Sequence, residues 1–164
     1  MFKRSNTRVR ARECVTMLLS SCSSLLYAMR VLRSHDTPTT LLHDIFRAIV
    51  VSHIQYAAPA WSGMSSATDR ARLDSLLRRG KRLGYCSNDV PTVAELFNSL
   101  DDGFFYSVKT NSAHVVQPYL PDQTNIPYRL RTRPHNMTMI NKTKSLNDTH
   151  FIIRMLYKIR TNTA

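Results

Sequence analysis

A chain of 164 residues that is 43% hydrophobic with only 4 glycines can bury one core; it is too apolar for a disordered segment and too short for two large domains. A formal charge of +12 and a pI near 10.2 favour polyanionic partners, of which nucleic acid and anionic membrane are the usual ones. Cys14, Cys22 and Cys86 include no Cys-x-x-Cys pair, which argues against a disulfide framework or a zinc knuckle and suits free thiols in a reducing compartment.

The charge is laid down unevenly. Residues 1–35 carry seven basic and one acidic side chain, 36–88 seven and four, 89–117 one and four, and 118–164 eight and two. Met1 to Arg12 is Arg-rich with no apolar core beside it, which is unlike a secretory signal and compatible with a mitochondrial presequence or a nuclear-import patch. Val15, Leu18, Cys22, Leu25, Met29 and Leu32 recur in steps of four and three, predicting a helix over about 8–33. Thr37-Pro38 supplies an N-cap and a first-turn proline for a second helix, whose broad stripe runs through Leu41, Leu42, Ile45, Phe46, Ile49, Val50 and Ile54 and which is expected to end near Pro59. The run Leu41–Trp61 reads as the longest apolar stretch, but His43, Asp44, Arg47 and His53 interrupt it, so no membrane span or anchor is expected.

Ser66 and Asp69 stand in capping-box spacing and open a third, basic helix with Leu73, Leu76, Leu77 and Leu83 on its apolar face. Thr92 and Glu95 open a short fourth helix; a fifth, with Phe104, Phe105 and Val108, is expected to start after Asp101-Asp102. Beyond Val116, Pro118, Pro121, Pro127 and Pro134 punctuate a polar stretch that reads as an extended basic tail, with Phe151–Tyr157 as a last apolar segment able to dock back. The reading is an all-α protein. A divergent basic segment 1–14 leads into a bundle of about five helices over 15–116, and a tail follows over 117–164.

Three segments and an opening helix carry a resemblance when taken in order. They are Gln55-Tyr56-Ala57-Ala58-Pro59-Ala60-Trp61, Tyr128-Arg129-Leu130-Arg131-Thr132-Arg133-Pro134-His135-Asn136 and Phe151-Ile152-Ile153-Arg154-Met155-Leu156-Tyr157-Lys158, preceded by Ser20–Arg30. Over about Val15 to Lys158 the chain resembles the region after the polymerase domain in non-LTR retrotransposon (LINE-type, jockey-like) reverse transcriptases. The resemblance implies a thumb-like helical bundle with a C-terminal extension that holds template RNA or RNA–DNA hybrid, with the magnesium-binding palm lying upstream. Met1 to Glu13 departs from that pattern.

Nothing in the residues supports catalysis. Two-metal polymerase chemistry needs a third carboxylate and an aromatic-x-Asp-Asp hairpin, and Ser99-Leu100-Asp101-Asp102 offers neither, so the doublet reads as a helix cap. The six histidines are scattered, no Gly-x-Ser-x-Gly turn exists, and the sequons at Asn136, Asn141 and Asn147 matter only in a secreted protein. No cofactor or metal is expected. Magnesium belongs to the parent family, and its ligands are absent here.

Arg70 and Arg78 are spaced to pair with Asp74, whereas Arg72, Arg79 and Arg82 fall on one strip free for phosphates. Arg129, Arg131 and Arg133 alternate along an extended segment, as a backbone-tracking ladder or as a charged edge that blocks strand pairing, with Tyr128 and His135 placed to stack on bases. Trp61 and Tyr56 are assigned to the core. The expected function is that of a non-catalytic reverse-transcriptase fragment, intracellular in the nucleus or cytoplasm, that binds RNA or RNA–DNA hybrid without sequence preference through these six arginines. Neither a membrane nor a small-molecule substrate is expected. Two alternatives stand beside it: an accessory part of a polymerase whose palm is supplied elsewhere, and a degenerate fragment with no function of its own.

Overall fold

The computed structural model describes residues 4–123, 137–140 and 150–161, with side chains over 9–123, 137–140 and 150–159. The protein is all-α, about 74% helical. Among the described residues no strand forms, and one isolated antiparallel bridge joins Gln123 to Met137. The chain divides into two compact units, Met1–Asn98 and Ser99–Ala164.

Helix α1 (Arg4–Ser34) takes in residues 4–14 of the divergent N-terminal segment. Its buried positions are Ala11, Val15, Cys22, Leu26 and Met29, so the core line passes through Leu26, while Leu32 is 39% exposed. A straight helix turns about 100° per residue, so a pattern of alternating fours and threes drifts around it over seven turns. The continuation of that line is Arg33. Within Val9–Ser34, α1 is long and apolar enough by length and composition to cross a membrane, with a mean hydropathy of 1.4. This property belongs to α1 and not to Leu41–Trp61. In the first unit α1 packs on the following helix, on the basic helix and on the turn at Ser62–Met64.

Thr37 does not cap the second helix. Asp36 adopts a left-handed conformation (φ 57°) after α1, and Thr37 donates both its N–H (3.3 Å) and its hydroxyl (2.7 Å) to the Leu32 carbonyl. Thr37 therefore closes α1, and Pro38 takes the N-cap of α2 (Thr39–Phe46) with no side-chain cap. α2 continues through a π turn, Arg47–Val51, into α3 (Ser52–Gln55). Phe46, Val50 and Ile54 are fully buried at steps of four. In an α-helix each such step overshoots a full turn by about 40°, and the wider π turn takes up that drift.

The chain turns at Tyr56–Ala57, not at Pro59. Ala57 is left-handed (φ 50°), and Pro59 sits in the first turn of α4 (Ala58–Trp61), where its missing N–H costs nothing. The corner separates the two aromatics assigned to the core. Trp61 is half-buried, edge-on to Phe97 at 5.1 Å, and donates its indole N–H to the Tyr56 carbonyl at 3.0 Å; the Tyr56 ring is 80% exposed.

Helix α5 (Ala67–Arg82) starts from the expected Ser66–Asp69 capping box. Gly80 faces inward, and a Cβ there would lie 2.5 Å from two ring atoms of Phe46. The helix ends in a Schellman motif, with Tyr85 N–H bonded to Gly80 O at 3.0 Å and Gly84 N–H to Lys81 O at 2.9 Å. Gly84 carries the left-handed φ of 68° that this motif requires.

α6 (Val93–Thr110) is one continuous helix opened by the Thr92–Glu95 box, where two helices were expected. Asp101-Asp102 therefore lies mid-helix and is not a cap. Asp-Asp-Gly at 101–103 reads locally as a break because both residue types are poor helix formers. Tertiary partners override that preference. In the second unit Arg154 meets the buried Asp101 carboxylate at 2.8 Å and Lys158 meets Asp102 at 2.7 Å, both from α7 (Phe151–Thr161). Phe105, Ile152, Met155 and Leu156 form the apolar core beside these pairs. The last apolar segment is thus a docked helix.

Two outcomes follow from this packing. Gly80→Ala gains helix propensity of about 1 kcal/mol but overpacks Phe46 by about 1–3 kcal/mol, so a net lowering of the urea midpoint is expected. Burial pushes the Asp101 carboxyl above its ordinary value near 3.8, tempered by the Arg154 charge, and one of its oxygens has no hydrogen-bond partner among the described residues. A carboxyl with a raised folded-state pKa favours folding fully below its unfolded value and loses that contribution as pH rises through the raised one. Asp101→Asn should therefore flatten the decline in α7 amide protection just above pH 3.8, read by hydrogen exchange across a pH series.

Candidate nucleic-acid interface

A groove of about 460 Å³ runs between α1 and the C-terminal end of α5 in the first unit. One wall is the α1 ridge Ser23, Tyr27, Arg30 and Ser34, spaced in steps of four, three and four, which keeps them on one helix face. The other wall carries Arg79 and Leu83, four residues apart on α5 and its cap. Leu26 and Tyr85 supply an apolar floor.

The floor is held by the end of α5. Gly84 turns the chain so that Tyr85 enters the core, 2% exposed. Arg33, on the extension of the buried line of α1, lies over the Tyr85 ring at 4.3 Å and donates to the Leu83 carbonyl. A guanidinium over an aromatic face is attracted by the ring quadrupole and keeps its full charge. Arg33 thus closes the groove from below and adds a fixed positive charge to it.

The two remaining cations are uncommitted. Arg30 and Arg79 are exposed, and among the described residues neither has a carboxylate partner. Tyr27 stands on the same ridge with its ring 70% exposed. Two open guanidiniums, a third fixed on the floor and an exposed aromatic therefore border one concave apolar surface. Such a surface can neutralise phosphate and offer a stacking face.

The six arginines read from the sequence fare unequally. Arg79 lines the groove. Arg72 lies two turns earlier on the strip and is tethered to Asp69 at 3.7 Å, with its side chain 43% exposed; so loose and solvated a pair holds it weakly. Arg82 is exposed outside the groove lining. Arg129, Arg131 and Arg133, together with Tyr128, His135 and the sequons at Asn136, Asn141 and Asn147, lie outside the described residues.

The expected pairing of Arg70 and Arg78 with Asp74 does not occur among the described residues. Asp74 instead accepts the N–H of Val93 at 2.9 Å, satisfying an orphan donor at the start of α6 where a negative charge is favoured. Arg70 turns back to Ser65 Oγ and the Ser62 carbonyl, both at 3.0 Å. Lys81 is spent on the carbonyls of Asn88 and Val90 at 3.0 and 2.6 Å. Half of the basic helix is thus engaged in local structure.

Sequence reasoning passed over Tyr27, Arg30 and Arg33. The available signal was the spacing of Arg33 from Leu26 and Met29, seven and four residues, which places it on the buried face at the end of α1. Among the described residues no group of three or more His, Cys, Asp or Glu side chains is placed to hold a metal ion, and Asp101 and Asp102 face Arg154 and Lys158. Comparison with protein-family models, curated proteins and solved structures finds no match to this chain.

Proposed function

We propose that this protein binds nucleic acid through its phosphates, without catalysis, in the manner of the region that follows the polymerase domain in LINE-type reverse transcriptases. The observation that carries the reading is the convergence of Arg30 and Arg79, both exposed and unpaired with any described carboxylate, on the two walls of one groove. The net charge of +12 adds long-range attraction for a polyanion. The ordered likeness of Gln55–Trp61, Tyr128–Asn136 and Phe151–Lys158 to that family supports the same reading from the sequence side. RNA or RNA–DNA hybrid is the partner this family likeness implies, and contact through phosphates carries no preference for sequence.

The set of contacts we assign is revised by the geometry. Arg30, Arg33 and Arg79 form the centre, and Arg72 and Arg82 extend the strip along α5. Arg129, Arg131 and Arg133 remain part of the proposal on the strength of their alternation alone.

Salt titration tests this. About four to six phosphate contacts give a slope of log affinity against log salt of about −3 to −5. The double substitution Arg30→Ala/Arg79→Ala should make that slope shallower by about 2 while leaving the thermal transition in place, because neither side chain is tied into the fold. A flat titration of the unaltered protein by fluorescence anisotropy would remove the proposal.

A further inference from the structure

The groove has a property that phosphate contact alone does not use. Its floor is apolar, made by Leu26, Leu83 and the buried Tyr85, and its rim carries the exposed ring of Tyr27 one helical turn before Arg30. A duplex presents a charged, convex outer surface, and its base faces are stacked away inside. Such a ligand would meet the guanidiniums and leave the apolar floor and the Tyr27 ring uncovered. An unpaired strand can offer both of its parts at once: phosphates to the cations and a base face to the ring.

The dimensions agree. A volume of about 460 Å³ lies within the range of about 300–1,000 Å³ in which small ligands are enclosed, enough for a nucleotide unit and too small for a double helix. Three residues along α1 separate Tyr27 from Arg30, about 4.5 Å of axial rise, so one nucleotide can span ring and cation together. Arg79 faces it from the opposite wall. Arg33 is held on the Tyr85 ring at 4.3 Å, so its charge is preset at the floor and needs no reordering when a strand enters.

We infer that the groove between α1 and α5 is a site for an unpaired nucleic-acid strand, in which Tyr27 stacks on one base while Arg30 and Arg79 hold the flanking phosphates. This rests on the phosphate-binding reading above and adds to it a preference for single strands over duplexes.

The test uses the full chain with a fluorescein-labelled oligoadenylate of about 12 nucleotides, free or annealed to its complement. Ribo- and deoxyribo-strands are run in parallel to separate RNA from DNA. The unaltered protein should bind the free strand more tightly than the duplex. Tyr27→Leu should weaken binding of the free strand about tenfold and leave the duplex unchanged, and Tyr27→Phe should retain binding. A 2-aminopurine placed in the strand should be quenched on binding to the unaltered protein and not to Tyr27→Leu. Tyr27 is exposed, so a matched thermal melt checks that the variant is folded.

Equal or tighter binding of the duplex by the unaltered protein would overturn the inference, as would a Tyr27→Leu variant that binds both forms like the parent. Either result leaves phosphate binding standing provided Arg30→Ala/Arg79→Ala still weakens both. If no probe is bound with salt dependence, the phosphate reading falls, and this inference with it.

Discussion

Tyr85 is the point at which the groove and the core of the first unit are tied together. Gly84 takes a left-handed turn that other residues adopt at a cost, the Schellman bonds to Gly80 and Lys81 satisfy the last carbonyls of α5, and the following residue is driven inward. Arg33 then lies on the far side of that ring. A cation at this place would otherwise be an unwelcome guest on a buried stripe. Over an aromatic face, with a carbonyl to bond, it is accommodated and still positive. Without the turn at Gly84 the groove would lose its floor, and the charge of Arg33 would lose its seat.

The same end of α5 depends on close approach from the other direction. Gly80 lets the backbone of α5 come within van der Waals reach of Phe46, which α2 and the π turn hold in the middle of the core. A side chain of any size there would lift α5 from α2 and change the width between α5 and its neighbours. The residues that shape the candidate site are therefore mostly not basic at all. They are two glycines, a tyrosine and a phenylalanine.

Much of the architecture was legible in the sequence, because it was written in periodicity and capping. The Ser66–Asp69 and Thr92–Glu95 boxes, the leucines of α5 and the broad stripe of α2 are local signals, and local signals survive in the fold. What failed depended on partners distant in the chain. Asp101-Asp102 looked like a helix start because Asp and Gly are poor in helix interiors, and only Arg154 and Lys158, some fifty residues on, explain why the helix runs through. The site was half legible for the same reason. Arg79 stood out on its strip, whereas Tyr27 and Arg30 acquire meaning only once α1 lies beside α5. Tyr56 was lost to the core by one backbone angle, the left-handed φ at Ala57, which no residue-type pattern announces.

The π turn at Arg47–Val51 sets a different kind of limit on change in this chain. By widening one turn it brings Phe46, Val50 and Ile54 into a single file, as a leap day keeps a calendar in step with the seasons. Removing one residue there would restore ordinary helical bonding and, in the same stroke, swing everything after it by about 100°. Ile54 would leave the interior and the corner at Ala57 would point elsewhere. Substitution at Ala48 or Ile49 disturbs one side chain, whereas a codon lost between them would misalign the whole second half of the unit, so this helix should tolerate drift in identity far better than drift in length.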